Sequence, residues 1–145
     1  MVIEQFKGKL VFLDTAPLIY FIEGHSKYQQ KLKQLFILND EGDFRFLSSI
    51  ITLPEVLVKP LKEGENKIVE QYKTILTNAE GIDIFDITIP ITIKAAELRA
   101  KYNIRTPDAL QVATAIERQA DYFLTNDLRL KSVKEIKLVT LSELE

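Results

Sequence analysis

The chain has 145 residues, 46% of them hydrophobic and 28% charged, which is the size and makeup of one globular domain with its own core. It contains no cysteine, and this excludes disulfides, thiol catalysis and zinc–thiolate centres. With 19 Lys and Arg against 21 Asp and Glu the net charge is −2, so a grip on nucleic acid must come from a local patch or from cations seated among acids.

The segment from Met1 to Lys7 has no long apolar run and does not read as a signal peptide, and no stretch is long enough to span a bilayer. Together with the absent cysteines this predicts a cytoplasmic protein without a membrane partner. Lys9 to Asp14 (Lys-Leu-Val-Phe-Leu-Asp) reads as a strand buried on both faces and ending in an acid. A helix from about Thr15 to Glu23 follows, stopping near Gly24, and a second is expected from about Ser26 to Asn39, with Tyr28, Leu32, Leu35 and Phe36 at helical spacing. Asp40 to Asp43 marks a turn.

Phe44 to Ser48 is the next predicted strand. Two helices are expected after it, over Leu53–Leu61 and Glu65–Thr77, broken by Pro60 and Gly64. Ile82–Asp86 reads as a strand, Ile91–Tyr102 as a helix, and Thr106-Pro107 as the cap and first residue of a helix running to about Gln119. Tyr122–Thr125 is a short strand ending in the polar turn Asn126-Asp127, and Lys137–Leu141 is a last strand. This alternation predicts one α/β domain over residues 1–145, in three layers, around a mainly parallel sheet of four to five strands.

Four acids stand where a strand gives way to a helix or turn: Asp14, Glu55, Asp108 and Asp127. In an open parallel sheet the carboxyl ends of the strands converge on one crevice. Carboxylates brought together there repel unless cations lie between them, and hard oxygen ligands suit Mg²⁺ or Mn²⁺. Each acid also has a purely structural explanation. Thr52-Leu53-Pro54-Glu55 fits a capping box, Asp14 can cap its own helix, Asp108 suits a first helical turn, and Asn126-Asp127 is common turn chemistry.

Strand-Asp14-Thr15, Ser48-Ser49 leading to Pro54-Glu55, Thr106-Pro107-Asp108-Ala109-Leu110 and Leu124-Thr125-Asn126-Asp127 occur in one order in one small chain. In this the sequence resembles a PIN domain over nearly its whole length, and as a compact single-domain chain it is similar to the VapC-type toxins of prokaryotic toxin–antitoxin pairs. The alanines of Asp108–Ala115 resemble the family's late helix, where small residues allow close packing on the sheet. After Asp127 the chain departs from the pattern: many relatives carry a further acid, and here Leu128-Arg129-Leu130 follows, which bears on a second metal position.

The resemblance implies an endoribonuclease hydrolysing RNA phosphodiester bonds with Mg²⁺ or Mn²⁺. Asp14 and Asp108 would be direct ligands, with Glu55 and Asp127 completing the shell directly or through water. Thr15, Ser49 and Thr125 are candidates for hydrogen bonds that orient those carboxylates. Arg105 and Arg129 are candidates for a substrate phosphate, or else surface charges offsetting the acids. The family also implies a homodimer and an inhibitory antitoxin, for which the Tyr28–Phe36 helix surface is one contact and core packing its alternative. His25 reads as a loop residue. The rival reading is a PIN-like module that binds RNA or protein without cutting. The chain lacks the Asp-x-Asp of haloacid-dehalogenase-like phosphatases at the first strand end and fits the receiver-domain pattern poorly, and the absence of a P-loop and of clustered glycines excludes P-loop and dinucleotide-binding alternatives.

Overall fold

The computed structural model describes residue 1 and residues 3–144. Five strands form one parallel sheet: β1 (Leu10–Leu13), β2 (Arg45–Ser49), β3 (Ile82–Phe85), β4 (Tyr122–Thr125) and β5 (Lys137–Thr140), in the order β3-β2-β1-β4-β5. Six α-helices among the described residues cover it: α1 (Thr15–Glu23), α2 (Gln29–Asp40), α3 (Thr52–Glu63), α4 (Asn66–Thr77), α5 (Ile89–Lys101) and α6 (Thr106–Glu117).

The continuous apolar runs of the strands follow from burial on both faces. Val11, Leu13, Phe46, Leu124 and Val139 point to one side and pack with Leu18, Leu32, Leu35, Phe36, Val56, Tyr72 and Leu76 of α1 to α4. Their alternates Phe12, Leu47, Phe123 and Leu138 point to the other and pack with α5 and α6. Phe12 and Phe123 stack across β1 and β4, with ring centroids 5.1 Å apart and planes 4° from parallel. Ala109, Ala113 and Ala115 are fully buried, so α6 lies close against the sheet.

The chain steps outward from β1 to β2 and β3, then returns to the opposite side of β1 for β4. That reversal opens a crevice beyond the carboxyl ends of β1 and β4, the usual ligand position in such a sheet. The backbone N–H of Asp14 donates to the Leu124 carbonyl at 3.0 Å and holds the two strand ends together there.

Two expectations are corrected and a third choice is settled. Helix α3 runs through Pro60 to Glu63 and ends at Gly64, whose left-handed φ of 69° closes the C-terminus. Pro60 is buried, and its packing outweighs the single backbone bond that proline gives up. Helix α6 is capped by Arg105 rather than Thr106, and Thr106 instead accepts from Arg99 Nη1 at 2.8 Å. Of the two readings of the Tyr28–Phe36 stripe, core packing holds: Tyr28, Leu32, Leu35 and Phe36 are all buried in the core.

Among the described residues no helix is long and apolar enough to cross a membrane.

Candidate active site

Asp14 follows the last residue of β1 and caps α1, its Oδ1 accepting from the Thr15 N–H at 2.9 Å. Its Oδ2 accepts from the Thr125 hydroxyl at 2.7 Å, which crosses from the end of β4. The same Thr125 oxygen accepts from the Asp127 N–H at 3.0 Å. One buried hydroxyl therefore sets both the Asp14 carboxylate and the turn that carries Asp127.

Glu55 lies in the first turn of α3, and the capping box that its spacing fits is not formed. The helix is capped by Ile51 without a side-chain bond. Thr52 is fully buried, where it accepts from Gln111 Nε2 at 2.8 Å. Glu55 is thus released from the helix end, and its Oε1 accepts from the Thr15 hydroxyl at 2.8 Å. Thr15 and Thr125 each orient an acid, in the manner of groups that fix ligands from behind.

Ser49 does something else. Its hydroxyl donates to Gln111 Oε1 at 2.5 Å and accepts from the Ile51 N–H, fully buried and away from the carboxylates. It joins β2, α3 and α6 rather than orienting an acid.

Asp108 occupies the first turn of α6 and contacts Arg105 Nε through Oδ2 at 3.3 Å. Asp127 caps the short 3₁₀ turn Leu128–Ser132. Arg129 clamps it from both sides, Nε donating to Oδ1 at 3.0 Å and Nη2 to Oδ2 at 2.8 Å. Both arginine side chains are largely exposed, and each contacts an acid of the crevice.

Asp14, Glu55, Asp108 and Asp127 line one cavity of about 330 Å³, with Thr15, Thr125, Arg105, Ala16, Ile19 and Asn126. The topology brings all four together, as their strand-end positions imply. Asn126, whose Nδ2 donates to the Tyr20 hydroxyl at 3.1 Å, and the wall residues Ala16 and Ile19 are additions that spacing did not single out. His25 lies apart, its ring 4.2 Å from that of Tyr20 and its Nδ1 accepting from the Lys27 N–H. A larger groove of about 870 Å³ runs along α4, but its walls hold Glu70 alone among acids and no paired carboxylates.

The acids of the crevice act on one another. Burial pushes the Asp14 carboxyl up to about 6, against the hydrogen bonds from Thr125 and Thr15, and the charges of Asp108 and Glu55 push it further the same way. Asp127 is held below the usual carboxylate range by the hydrogen bonds from Arg129. A buried carboxylate beside two more acids is the environment that a hard cation relieves, so the donor set fits Mg²⁺ or Mn²⁺ in its chemistry. Among the described residues no three acids converge closely enough to hold one ion as they lie. Gathering three takes side-chain rotation, and Asp108 and Asp127 are the two turned toward arginines.

Comparison with known proteins gives one family. The PIN domain model matches residues 11–136. Among solved structures, VapBC2 from Rickettsia felis bound to a promoter DNA fragment is 21% identical, with a TM-score of 0.69 over 90% of this chain and 98% of that one. DNA-bound VapBC from Salmonella typhimurium is 20% identical, with a TM-score of 0.70 over 92% and 98%. VapC20 from Mycobacterium tuberculosis, a toxin that cleaves the sarcin–ricin loop, is 13% identical, with a TM-score of 0.68 over 88% and 98%. Among curated proteins none matches the sequence.

Proposed function

The chain belongs to the PIN domain family, and on that footing we propose that it is a metal-dependent endoribonuclease acting as the toxin of a toxin–antitoxin pair. The observation that carries this is the convergence of Asp14, Glu55, Asp108 and Asp127 on one cavity at the switch point of the sheet, with two of the four held by threonines.

Asp14 and Asp108 would hold the ion, Mg²⁺ or Mn²⁺, with Glu55 and Asp127 lining the same cavity. A divalent cation bound here would supply charge stabilisation for the phosphoryl oxygens and activation of water. Thr125 and Thr15 keep Asp14 and Glu55 in place during the reaction, so little reorganisation is needed as charge builds. Arg105, exposed at the rim and bound to Asp108 by one long contact, is the guanidinium best placed to exchange that contact for a backbone phosphate.

RNA as substrate and an antitoxin as partner rest on the similarity to toxin–antitoxin proteins of the same fold. With the Tyr28–Phe36 stripe buried, the apolar surface left for antitoxin or homodimer contacts includes Val58 and Leu61 on α3 and Ile89 and Ile93 on α5.

The test is cleavage of a labelled structured RNA pool by the purified chain, with Mg²⁺ or Mn²⁺ against EDTA, for wild type and Asp14→Asn in parallel. Metal-dependent cutting that is lost in Asp14→Asn is expected. Failure of the folded wild type to cut any RNA would instead favour a binding module.

A further inference from the structure

The carboxylate of Asp127 is already engaged on both oxygens. Oδ1 accepts from the Arg129 backbone N–H at 3.0 Å and from its Nε at 3.0 Å, and Oδ2 accepts from Nη2 at 2.8 Å. The geometry is local in origin. Asp127 caps the 3₁₀ turn that begins at Leu128, and that turn brings the guanidinium two residues later back over the capping side chain. A planar guanidinium matches a carboxylate in this two-point fashion, and a metal ion would have to take the same oxygens.

Arg105 and Asp108 form a weaker counterpart, a single contact at 3.3 Å with no backbone support. Asp108 is therefore the acid free to turn inward, and Asp127 the one that is held. Charge points the same way. Four carboxylates carry −4, the two arginines return +2, and the remaining −2 is what one divalent ion cancels.

We propose that Arg129 is the resident cation of the Asp127 corner, so that the crevice takes one divalent ion, on Asp14, Asp108 and Glu55, while Asp127 positions Arg129 instead of ligating metal. This rests on the metal-dependent reading above and narrows it to a stoichiometry and a ligand set. Arg129 itself stays 72% exposed, in a small cleft beside the crevice that it shares with Asp108 and Asp127. An exposed ion pair of good geometry is worth up to about fivefold in the affinity of whatever must displace it.

Calorimetric titration with Mn²⁺ at neutral pH, without RNA, tests the inference on wild type, Asp14→Asn, Asp127→Asn and Arg129→Gln. The expected result is one equivalent in wild type, lost in Asp14→Asn and changed less than about twofold in Asp127→Asn. In Arg129→Gln a second equivalent appears, or the first tightens by about fivefold. Two equivalents in wild type, or a tenfold or greater weakening in Asp127→Asn, would make Asp127 a ligand and overturn the inference while leaving the nuclease reading intact. No Mn²⁺ binding by folded wild type would overturn both. Asn at 127 keeps an acceptor for the turn and Gln at 129 lies on the surface, so both variants retain the fold.

Discussion

Thr15 and Glu55 meet at 2.8 Å, hydroxyl to carboxylate, and this one bond ties the helix after β1 to the helix after β2 across the mouth of the crevice. Thr15→Val removes the donor while keeping the shape. Because the bond is exposed, thermal stability should change by about 1 kcal/mol or less. Metal affinity and cleavage should fall roughly 10- to 100-fold, as when groups behind a ligand are removed. Thr15→Ser should restore most of both. Equal melting with equal cleavage in Thr15→Val would remove Thr15 from the site.

Asp14→Asn should stabilise the metal-free protein at neutral pH while abolishing cleavage. The Asp14 carboxyl titrates near 6 in the folded chain, against an ordinary value of 3.8. The folded state thus holds the proton more tightly than the unfolded state, and stability is lost as pH rises from about 4 to about 6, staying low above. Asparagine keeps the cap acceptor and has no charge to bury. In EDTA the variant should gain roughly 1–3 kcal/mol at pH 7.5 and almost nothing at pH 4. The check is the difference between the two proteins in urea unfolding at both pH values, since groups such as Asp127, Glu135 and Glu143 have lowered values and cancel in the comparison.

Thr125→Val should be the most damaging of the threonine changes. It leaves the Asp14 carboxylate without its side-chain donor and the Asp127 N–H without an acceptor, in a fully buried position. Such losses cost roughly 1–3 kcal/mol. Denaturant midpoints and cleavage rates should fall together here, whereas in Thr15→Val only cleavage falls.

Ser49→Ala separates fold from site. Its partner Gln111 loses the hydroxyl donor, so stability should drop by roughly 1–3 kcal/mol with Mn²⁺ affinity unchanged within about twofold. A loss of metal affinity at intact stability would return Ser49 to the site.

Gly81→Ala probes the packing beneath β3. A methyl group there would sit 2.4 Å from Asn39 Oδ1, and Asn39 is buried and pinned by bonds from its Nδ2 to the Phe44 and Gly81 carbonyls. The variant should lose roughly 1–3 kcal/mol, since neither side can yield cheaply. An unchanged melting temperature would mean that Asn39 leaves its pocket freely.

The layered α/β fold was legible because each strand is an uninterrupted apolar run and each helix keeps its periodicity. Asp14 to Thr125 shows the limit. That both residues end strands is plain from the chain, but that their strands are neighbours depends on the reversal from β3 to β4, which no local pattern encodes. Pro60 read as a break because proline's cost is local, whereas the burial that offsets it is tertiary. Thr52 and Glu55 matched a capping box by spacing, yet Gln111, 59 residues away, claims the threonine. The Ser49 hydroxyl likewise finds its partner, Gln111, on a helix 62 residues away, which no local pattern announces.

The bond between Thr125 and Asp14 joins residues 111 positions apart, and β1 obtains its second neighbour only when β4 arrives. Contacts so distant along the chain close late in folding, after the entropy of a long loop has been overcome. A growing polypeptide that has not yet delivered Tyr122 to Asp127 has Asp14 and Glu55 but neither the hydroxyl that aims the first nor the opposite wall of the cavity. The four-acid cavity is therefore not assembled until most of the chain has been made. On the nuclease reading proposed above, unfinished copies would be inert.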